Sequence, residues 1–436
     1  MDKFDNEKLM INICDSENLM TFKNGELRSI NVTVSPTNVD YGNLFEIQKD
    51  VNKLFYKSTE FIQSNKFISD IKDPLFLMLK SCVPKQRKIK VHLIRTDYLK
   101  DLNGGFKQVE TNTIACAYLL MGSKLNSIHS LFYPDVLVSQ ALWKLPDLFC
   151  IIHSLFIKKD DKIILPLDKP LPFNNTAFPE IALMIDNDTS RKSTNYFEKV
   201  ELIKLLKIRG IDMLHVTMDD VIEKCRFSED GSDMFFLDRK VYCVYYRWFY
   251  NYEHYREVDI EIRKKIEYSN VISLPSAELQ MAGCKEFNLK FSNYEALKEL
   301  YGDSESISSI YNTIGEYKSI EEYKEGDETN WILKSTSEGG GNNIFGLEVK
   351  KMCLEKKRNN YFMMKKIDSM SYKNRFLGEE KERNTIPEIG IIGVLVSMND
   401  RILINTNIGY ICRSKDVNSN ECGVSCGFGA LDSIYK

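Results

Sequence analysis

From Tyr41 to Ile62 the apolar residues of "YGNLFEIQKDVNKLFYKSTEFI" recur at three- and four-residue intervals, which predicts an amphipathic helix. The period then falls to two. "VHLIRTDYL" and "FKQVETNTIACAYLL" flank "NGG", Asn103 to Gly105, and this predicts two antiparallel strands joined by a tight turn in which Asn-Gly supplies the positive φ angles. From Ile181 a strand ("IALMID"), a helix ("YFEKVELIKLLKIRG"), a strand ("IDMLHVTM") and a further strand ("VYCVYYRWF") alternate, the pattern of an α/β unit. Beyond Gly283 helical stretches give way to "WILKSTSEGGGNNIFGLEV", "NYFMMKKID" and the hairpin "IGIIGVLVSMNDRILINTNIGYICRSK". The last third is therefore expected to be rich in antiparallel strand, and "IFGLEV" to follow the glycines as strand rather than helix.

At 436 residues the chain exceeds the usual single-domain size, which favours two or three domains. With 43% hydrophobic residues and a formal charge of -3, the composition is that of a globular protein without the basic stripe that a nucleic-acid partner requires. "KQRKIK" at Lys85 to Lys90 reads as a solvated flank of a strand. The start "MDKFDNEKLM" has no apolar core of signal length, and the longest apolar run, "LFCIIHSLFI", is too short to cross a bilayer. The 11 cysteines form no CxxC pair and no zinc-site spacing, so reduced thiols in a cytoplasmic protein are expected.

Candidate chemistry begins at "EGGGNN", Glu338 to Asn343, because three consecutive glycines cost stability unless the chain turns sharply or approaches another molecule closely. The segment fits neither GxxxxGK[ST] nor GxGxxG. What remains is a flap whose N–H groups fold over phosphates, with a plain hairpin turn as the alternative. Lys334 shares a side of its strand with Ile332, and an inward ammonium calls for an anion; a surface lysine at a strand end is the alternative. Glu338 is then placed to hold the magnesium that accompanies phosphates. Period two also sets Glu110 and Asn112 of "VETNT" side by side, a carboxylate and an amide oxygen suited to Mg2+, although a solvated strand face would carry the same residues.

Taken in order, "RTDY", "VETNTIA", "YYRWFY", "PSAELQMAGCKEF", "LKSTSEGGGNNIFG", "PEIGIIGV", "GYICRSK" and "CGVSCGFGALD" resemble segments of the eukaryotic glutathione synthetases, from about Tyr41 to the C-terminus. The resemblance implies an α/β (α+β) ATP-grasp fold with an inserted three-layer α/β substrate-binding domain and a lid. The implied divisions are 1–182, 183–282 and 283–436. It further implies ATP-dependent joining of glycine to γ-glutamylcysteine through an acyl phosphate, with Mg2+, in a cytoplasmic homodimer. Lys285, Lys334 and the loop Gly339, Gly340, Gly341, Asn342 and Asn343 would meet the nucleotide phosphates. Met363, Met364 and Lys365 would read adenine, and Glu388 would contact the nucleotide. Glu110, Asn112 and Glu338 would hold magnesium. Arg95, Asn195, Arg247 and Tyr250 fall at dipeptide positions, and Arg413, Lys415, Val424 and Ser425 at the glycine end, with Lys415 also a nucleotide contact. Arg95, Arg247, Lys334 and Glu338 carry the catalytic roles. No side-chain nucleophile is needed, because glycine's amine attacks an activated carboxylate.

The chain departs from this family's pattern at particular positions. "WF", Trp248 and Phe249, stands where the family has Asp-Gly; Ala115 and Ala117 stand where it has serines; Lys199 replaces a glutamine and Lys365 a glutamate. A ligase with another acceptor amino acid and a non-catalytic nucleotide-binding homologue are therefore the alternatives.

Overall fold

The helical spacing at the head of the chain becomes α1 (Leu44–Gln63), which buries Leu44, Ile47, Val51, Leu54, Phe55 and Ile62 along one stripe. This computed structural model describes residues 3–23, 25–66, 68–159, 167–172, 176–193, 195–302, 305–337, 342–355, 361–424 and 427–436. Strands β1 (Ile89–Lys100) and β2 (Phe106–Asn112) follow as the expected antiparallel pair. Their turn differs from the expected one. The positive φ angles fall on Gly104 (94°) and Gly105 (78°), not on Asn103, so the glycine pair closes a longer loop in which Gly104 N–H donates to Asp101 O at 3.1 Å.

Helices α2 (Leu119–Phe132) and α3 (Ala141–Lys158) lead to β3 (Ile181–Asp186), α4 (Tyr196–Lys207), β4 (Asp212–Thr217), β5 (Arg239–Tyr246) and β6 (Ile272–Leu274). Here the alternation read from the sequence holds. β4, β3, β5 and β6 lie side by side as a parallel sheet. β3 is buried along its whole length, as a strand covered on both faces must be. Then come α5 (Ala277–Gly283), β7 (Trp331–Ser335), α6 (Leu347–Leu354), β8 (Tyr361–Lys365), β9 (Arg383–Met398), β10 (Arg401–Asp416) and β11 (Gly429–Asp432).

The expectation of strand in "IFGLEV" is overturned. Ile344 makes only a single bridge to Leu333, and the chain turns at Gly346 (φ 59°) into α6. Val349 and Cys353, four residues apart, are the buried positions of that helix, a spacing that outweighs the β-branched valine.

The largest sheet has the order β11-β10-β9-β1-β2 with every pair antiparallel, so strands from both ends of the chain meet on β9. α2 and α3 join Leu93, Ile392, Val394 and Val396 in one core, while α1 packs with Ile94 in another. Gly393 is the reason α1 lies so close. A Cβ there would stand 1.8 Å from Asn52 Oδ1 of that helix. The small sheet of β7 and β8, with Tyr317–Lys318 on its far edge, caps the end of the large sheet near β2.

Candidate functional site

The register of the large sheet draws its charged side chains into one patch. Arg413 of β10 is paired with Glu388 of β9; Gly390 of β9 lies opposite Asp97 of β1, which lies opposite Glu110 of β2; Arg95 is paired with Asn112. Alternation does the rest, since residues two apart on each strand share a face. Arg95 Nε donates to Asp97 Oδ1 at 2.8 Å, Arg413 Nη2 donates to Asp97 Oδ2 at 3.0 Å, and Arg413 also donates to Glu388. Burial pushes the Glu388 carboxyl above its usual range, with Arg413 opposing the rise and Asp97 and Glu110 adding to it.

Two cavities adjoin along β2. Glu110 borders a narrow slot of about 40 Å³ walled by Lys285, Lys334, Tyr317 and Phe362; Asn112, two residues on and on the same face, borders a cavity of about 400 Å³; Thr111 borders both. Lys334 is 3% exposed, as its inward reading requires, and its Nζ donates to Val109 O at 2.8 Å and stands 3.8 Å from Glu110 Oε2. Burial alone would raise the Glu110 carboxyl, but Lys334, Lys285 and Arg95 outweigh it and hold the group at about 2. Glu110 is therefore an anion set among cations. Asn112 Nδ2 donates to Glu110 Oε1 at 3.1 Å and to Asp97 Oδ2 at 3.2 Å, which leaves its carbonyl oxygen for a cation. Oxygen donors of this kind suit Mg2+. Among the described residues no three His, Cys, Asp or Glu side chains converge as a metal cluster. Glu338, Gly339, Gly340, Gly341 and Ser425 lie outside the described residues.

The larger cavity opens at the carboxyl ends of β3 and β5, where open parallel sheets take their ligands. Arg247, just past β5, is buried; its Nη1 donates to Cys116 O and Tyr245 Oη, each at 2.9 Å, and its Nη2 pairs with Glu198 at 3.3 Å. Asn195 takes a left-handed conformation (φ 58°), and its Oδ1 is buried without a protein partner. Such an acceptor costs stability unless a ligand donates to it. Tyr250 and Trp248 form an aromatic wall, Trp248 stacking on His254 with ring centroids 3.9 Å apart.

Lys199 does not leave a bare charge in this cavity. It pairs with Asp186, which also meets His215 Nε2 at 2.9 Å, and the hydrogen bond with His215 together with the Lys199 charge holds the Asp186 carboxyl below its usual value against the effect of burial. Ala115 lines the cavity at φ 52°, Ala117 O accepts from Arg95 Nη1 at 3.3 Å, and Lys365 pairs with Glu316 at 2.8 Å.

Met363 and Met364 are buried in β8, laddered to β7 on one side and to Tyr317–Lys318 on the other. Lys285 Nζ donates to Ser337 O at 2.6 Å, and Lys415 Nζ to Asn420 O at 3.0 Å. Asn342 is exposed, Asn343 is half-buried and Val424 is buried.

Sequence reasoning missed Asp97 and Glu198. The signal for Asp97 was its alternation with Arg95 along β1, which shows the local fork but not the Arg413 partner. Glu198 gave no such signal: it caps α2 by accepting the N–H groups of Tyr118 (2.8 Å) and Leu120 (3.1 Å) while facing Arg247, and all of these partners are remote in sequence.

A large antiparallel sheet and a small one closing on a lysine-lined slot, with a parallel α/β unit alongside, define an α/β protein of the ATP-grasp type. Residues 21–436 match the family model described as eukaryotic glutathione synthase, ATP binding domain. The chain belongs to the eukaryotic glutathione synthetase family. It is 25% identical over 420 residues to the glutathione synthetase of Xenopus laevis, covering 89% of this chain and 85% of that one. Against the Homo sapiens glutathione synthetase it is 25% identical over 364 residues, covering 79% and 74%. The glutathione synthetase of Dictyostelium discoideum is 24% identical over 434 residues, with 89% and 87% covered. A solved structure of a glutathione synthetase-like effector (GSS30) from Globodera pallida, in apo form, superposes with a TM-score of 0.76 at 15% identity, covering 99% of this chain and 96% of that one. That likeness speaks for the fold. No helix among the described residues is long and apolar enough to cross a membrane.

Proposed function

We propose that this protein is an ATP-dependent ligase that joins glycine to γ-glutamylcysteine, giving glutathione, ADP and phosphate. The observation that carries the reading is strand β2, on one face of which Glu110 borders the lysine-lined slot and Asn112 the adjoining larger cavity. A ligation of this type needs that layout. A carboxylate is a poor electrophile and must first accept phosphate from a nucleotide held in line with it across a shared metal site.

In this reading Lys285 and Lys334 neutralise the phosphates as charge moves onto the leaving ADP, and the loop Gly339 to Asn343 covers them and keeps water from the mixed anhydride. Glu110 and Asn112, joined by Glu338, would hold Mg2+, which supplies charge neutralisation to the transferring phosphoryl group. Met363 to Lys365 and Glu388 face the nucleotide, and Lys415 reaches both the nucleotide and the glycine end. Arg95, Asn195, Arg247 and Tyr250 orient the dipeptide so that its cysteinyl carboxylate meets the γ-phosphate. Arg413, Val424 and Ser425 hold glycine so that its free amine attacks the acyl carbon, which expels phosphate. The three-part division of the chain belongs to the same proposal, its first boundary lying inside β3. So do the homodimer and the cytosolic setting, the latter supported by the ten described cysteines, all free thiols.

The test is phosphate release from Mg-ATP with γ-glutamylcysteine and, in turn, glycine, alanine or serine. Release that requires both dipeptide and glycine is expected. Release with alanine or serine but not glycine would reassign the acceptor, and none with any acceptor would defeat the ligase reading.

A further inference from the structure

The scheme above uses Arg95, Arg413 and Asn112 for three different tasks, yet one carboxylate holds all three. Asp97 is fully buried. Arg95 grips it with two prongs, Nε to Oδ1 at 2.8 Å and Nη2 to Oδ2 at 2.8 Å. The same Oδ2 accepts from Arg413 Nη2 at 3.0 Å and from Asn112 Nδ2 at 3.2 Å. Three strands, β1, β2 and β10, thus send a side chain to one point.

The strand beneath is bare at that point. Gly390 of β9 lies opposite Asp97, and a Cβ built there would stand 2.4 Å from Asp97 Oδ1 and 3.1 Å from Arg95 Cδ. No larger residue would let the pair lie flat across β9. A buried carboxylate is tolerated only when its oxygens are filled, and a planar guanidinium fork fixes direction as well as charge.

Resting on the ligase reading, we propose that Asp97 is a positioning residue that sets the distances among the donor-side arginine, the acceptor-side arginine and the metal-side asparagine. It touches no reacting atom. Because the three groups share one anchor, disturbing it displaces both substrates together, and ligation demands that amine, acyl carbon and phosphate stay in line. Its fork with Asp97, and the bond to Ala117 O, use Arg95 Nε and one hydrogen on each terminal nitrogen, so a hydrogen on each remains for substrate.

The experiment uses the full chain with Asp97→Asn, which keeps shape but removes the charge and turns an acceptor into a donor against arginine. At saturating Mg-ATP, the KM values for γ-glutamylcysteine and for glycine are both expected to rise about tenfold, with kcat falling about a hundredfold. Arg413→Met should raise the glycine KM alone. Should Asp97→Asn fail to fold, Asp97→Asn/Arg413→Met removes a charge pair together and is compared with Arg413→Met. A further loss of about tenfold in kcat/KM for the dipeptide is expected, because Arg95 and Asn112 have also lost their anchor. Equality of those two variants overturns the proposal, as does an Asp97→Asn enzyme in which only one substrate's KM moves or neither does. A second readout needs no turnover. Calorimetric titration of ATP with and without Mg2+ should find the Mg2+-dependent gain in affinity reduced about fivefold in Asp97→Asn, the Mg2+-free affinity staying within about twofold. If the wild-type protein releases no phosphate with any acceptor, the ligase reading fails and this titration alone decides Asp97, an unchanged Mg2+ dependence overturning it.

Discussion

Replacing Lys334 by methionine keeps most of the side-chain volume and removes one buried charge. Two interactions go with it: the 2.8 Å bond to Val109 O and the attraction to Glu110 Oε2 at 3.8 Å. A hydrogen bond from a charged donor contributes about 2 kcal/mol net, and Val109 O would be left without that donor. The Glu110 contribution follows from its displacement from an ordinary 4.5 to about 2, equivalent to at most about 3 kcal/mol. Its side chain is 31% exposed and Lys334 is one of three cations acting on it, so about 1 kcal/mol of that belongs to the pair. Lys334→Met should therefore cost about 3 kcal/mol at pH 7.

The pH dependence separates the two parts. A carboxyl depressed in the folded state stabilises above its unfolded pKa and loses that stabilisation as pH falls toward the folded value. Because the unfolded chain titrates alike in both proteins, the wild-type advantage should stay nearly constant from pH 6 to about pH 3.5 and shrink by about 0.5 kcal/mol between pH 6 and pH 2, while the Val109 part persists. Urea denaturation of both proteins at pH 6 and pH 2 measures this. Identical pH slopes would refute the claim that Lys334 holds Glu110 ionised. A total difference below about 0.5 kcal/mol would refute the inward lysine itself.

Glu338→Gln should leave the melting temperature within about 2 °C and abolish ligation, since it deletes only a charge wanted by magnesium; near-normal turnover would remove Glu338 from the metal site. Trp248→Ala removes the wall that stacks on His254 at 3.9 Å and should raise the dipeptide KM about tenfold with the KM for ATP unchanged, which steady-state kinetics would show or deny. Gly393→Ala places a methyl 1.8 Å from Asn52 Oδ1 and 2.6 Å from Gln48 Nε2, and should cost about 2 kcal/mol in urea; a loss under about 0.5 kcal/mol would mean α1 shifts freely over β9.

The parts legible in the sequence were those governed by local period. Glu110 beside Asn112, Lys334 turned inward and the alternating strands of the parallel unit all follow from spacing along a single element. What escaped was set by partners elsewhere. Asp97 meets Arg413 across a sequence separation of 316 residues, and Glu198 serves a helix 80 and 78 residues away, so no window on the sequence could pair them. The strand expected in "IFGLEV" failed for a different reason. Gly346 at positive φ broke the extended run, and the spacing of Val349 and Cys353 then outvoted their individual preferences. Lys199 stands where the family has a glutamine, and its neutralising partner, Asp186, comes from the adjoining strand, out of reach of any reading of its own helix.

The antiparallel pairing of β1 with β9 has a kinetic consequence. β1 has ten of its twelve positions buried, and the strand that covers one edge of it lies between Arg383 and Met398. During synthesis a ribosome must finish most of the chain before that edge is sealed, so β1 waits as an exposed, apolar, hydrogen-bond-hungry ribbon. High contact order of this sort slows folding and lengthens the wait. Lys90, Arg95, Asp97 and Lys100 along β1 then act as gatekeepers, putting charge into a segment that would otherwise be free to join the wrong neighbour. Arg95 and Asp97, which build the cleft in the finished protein, thereby also protect the nascent one from aggregation.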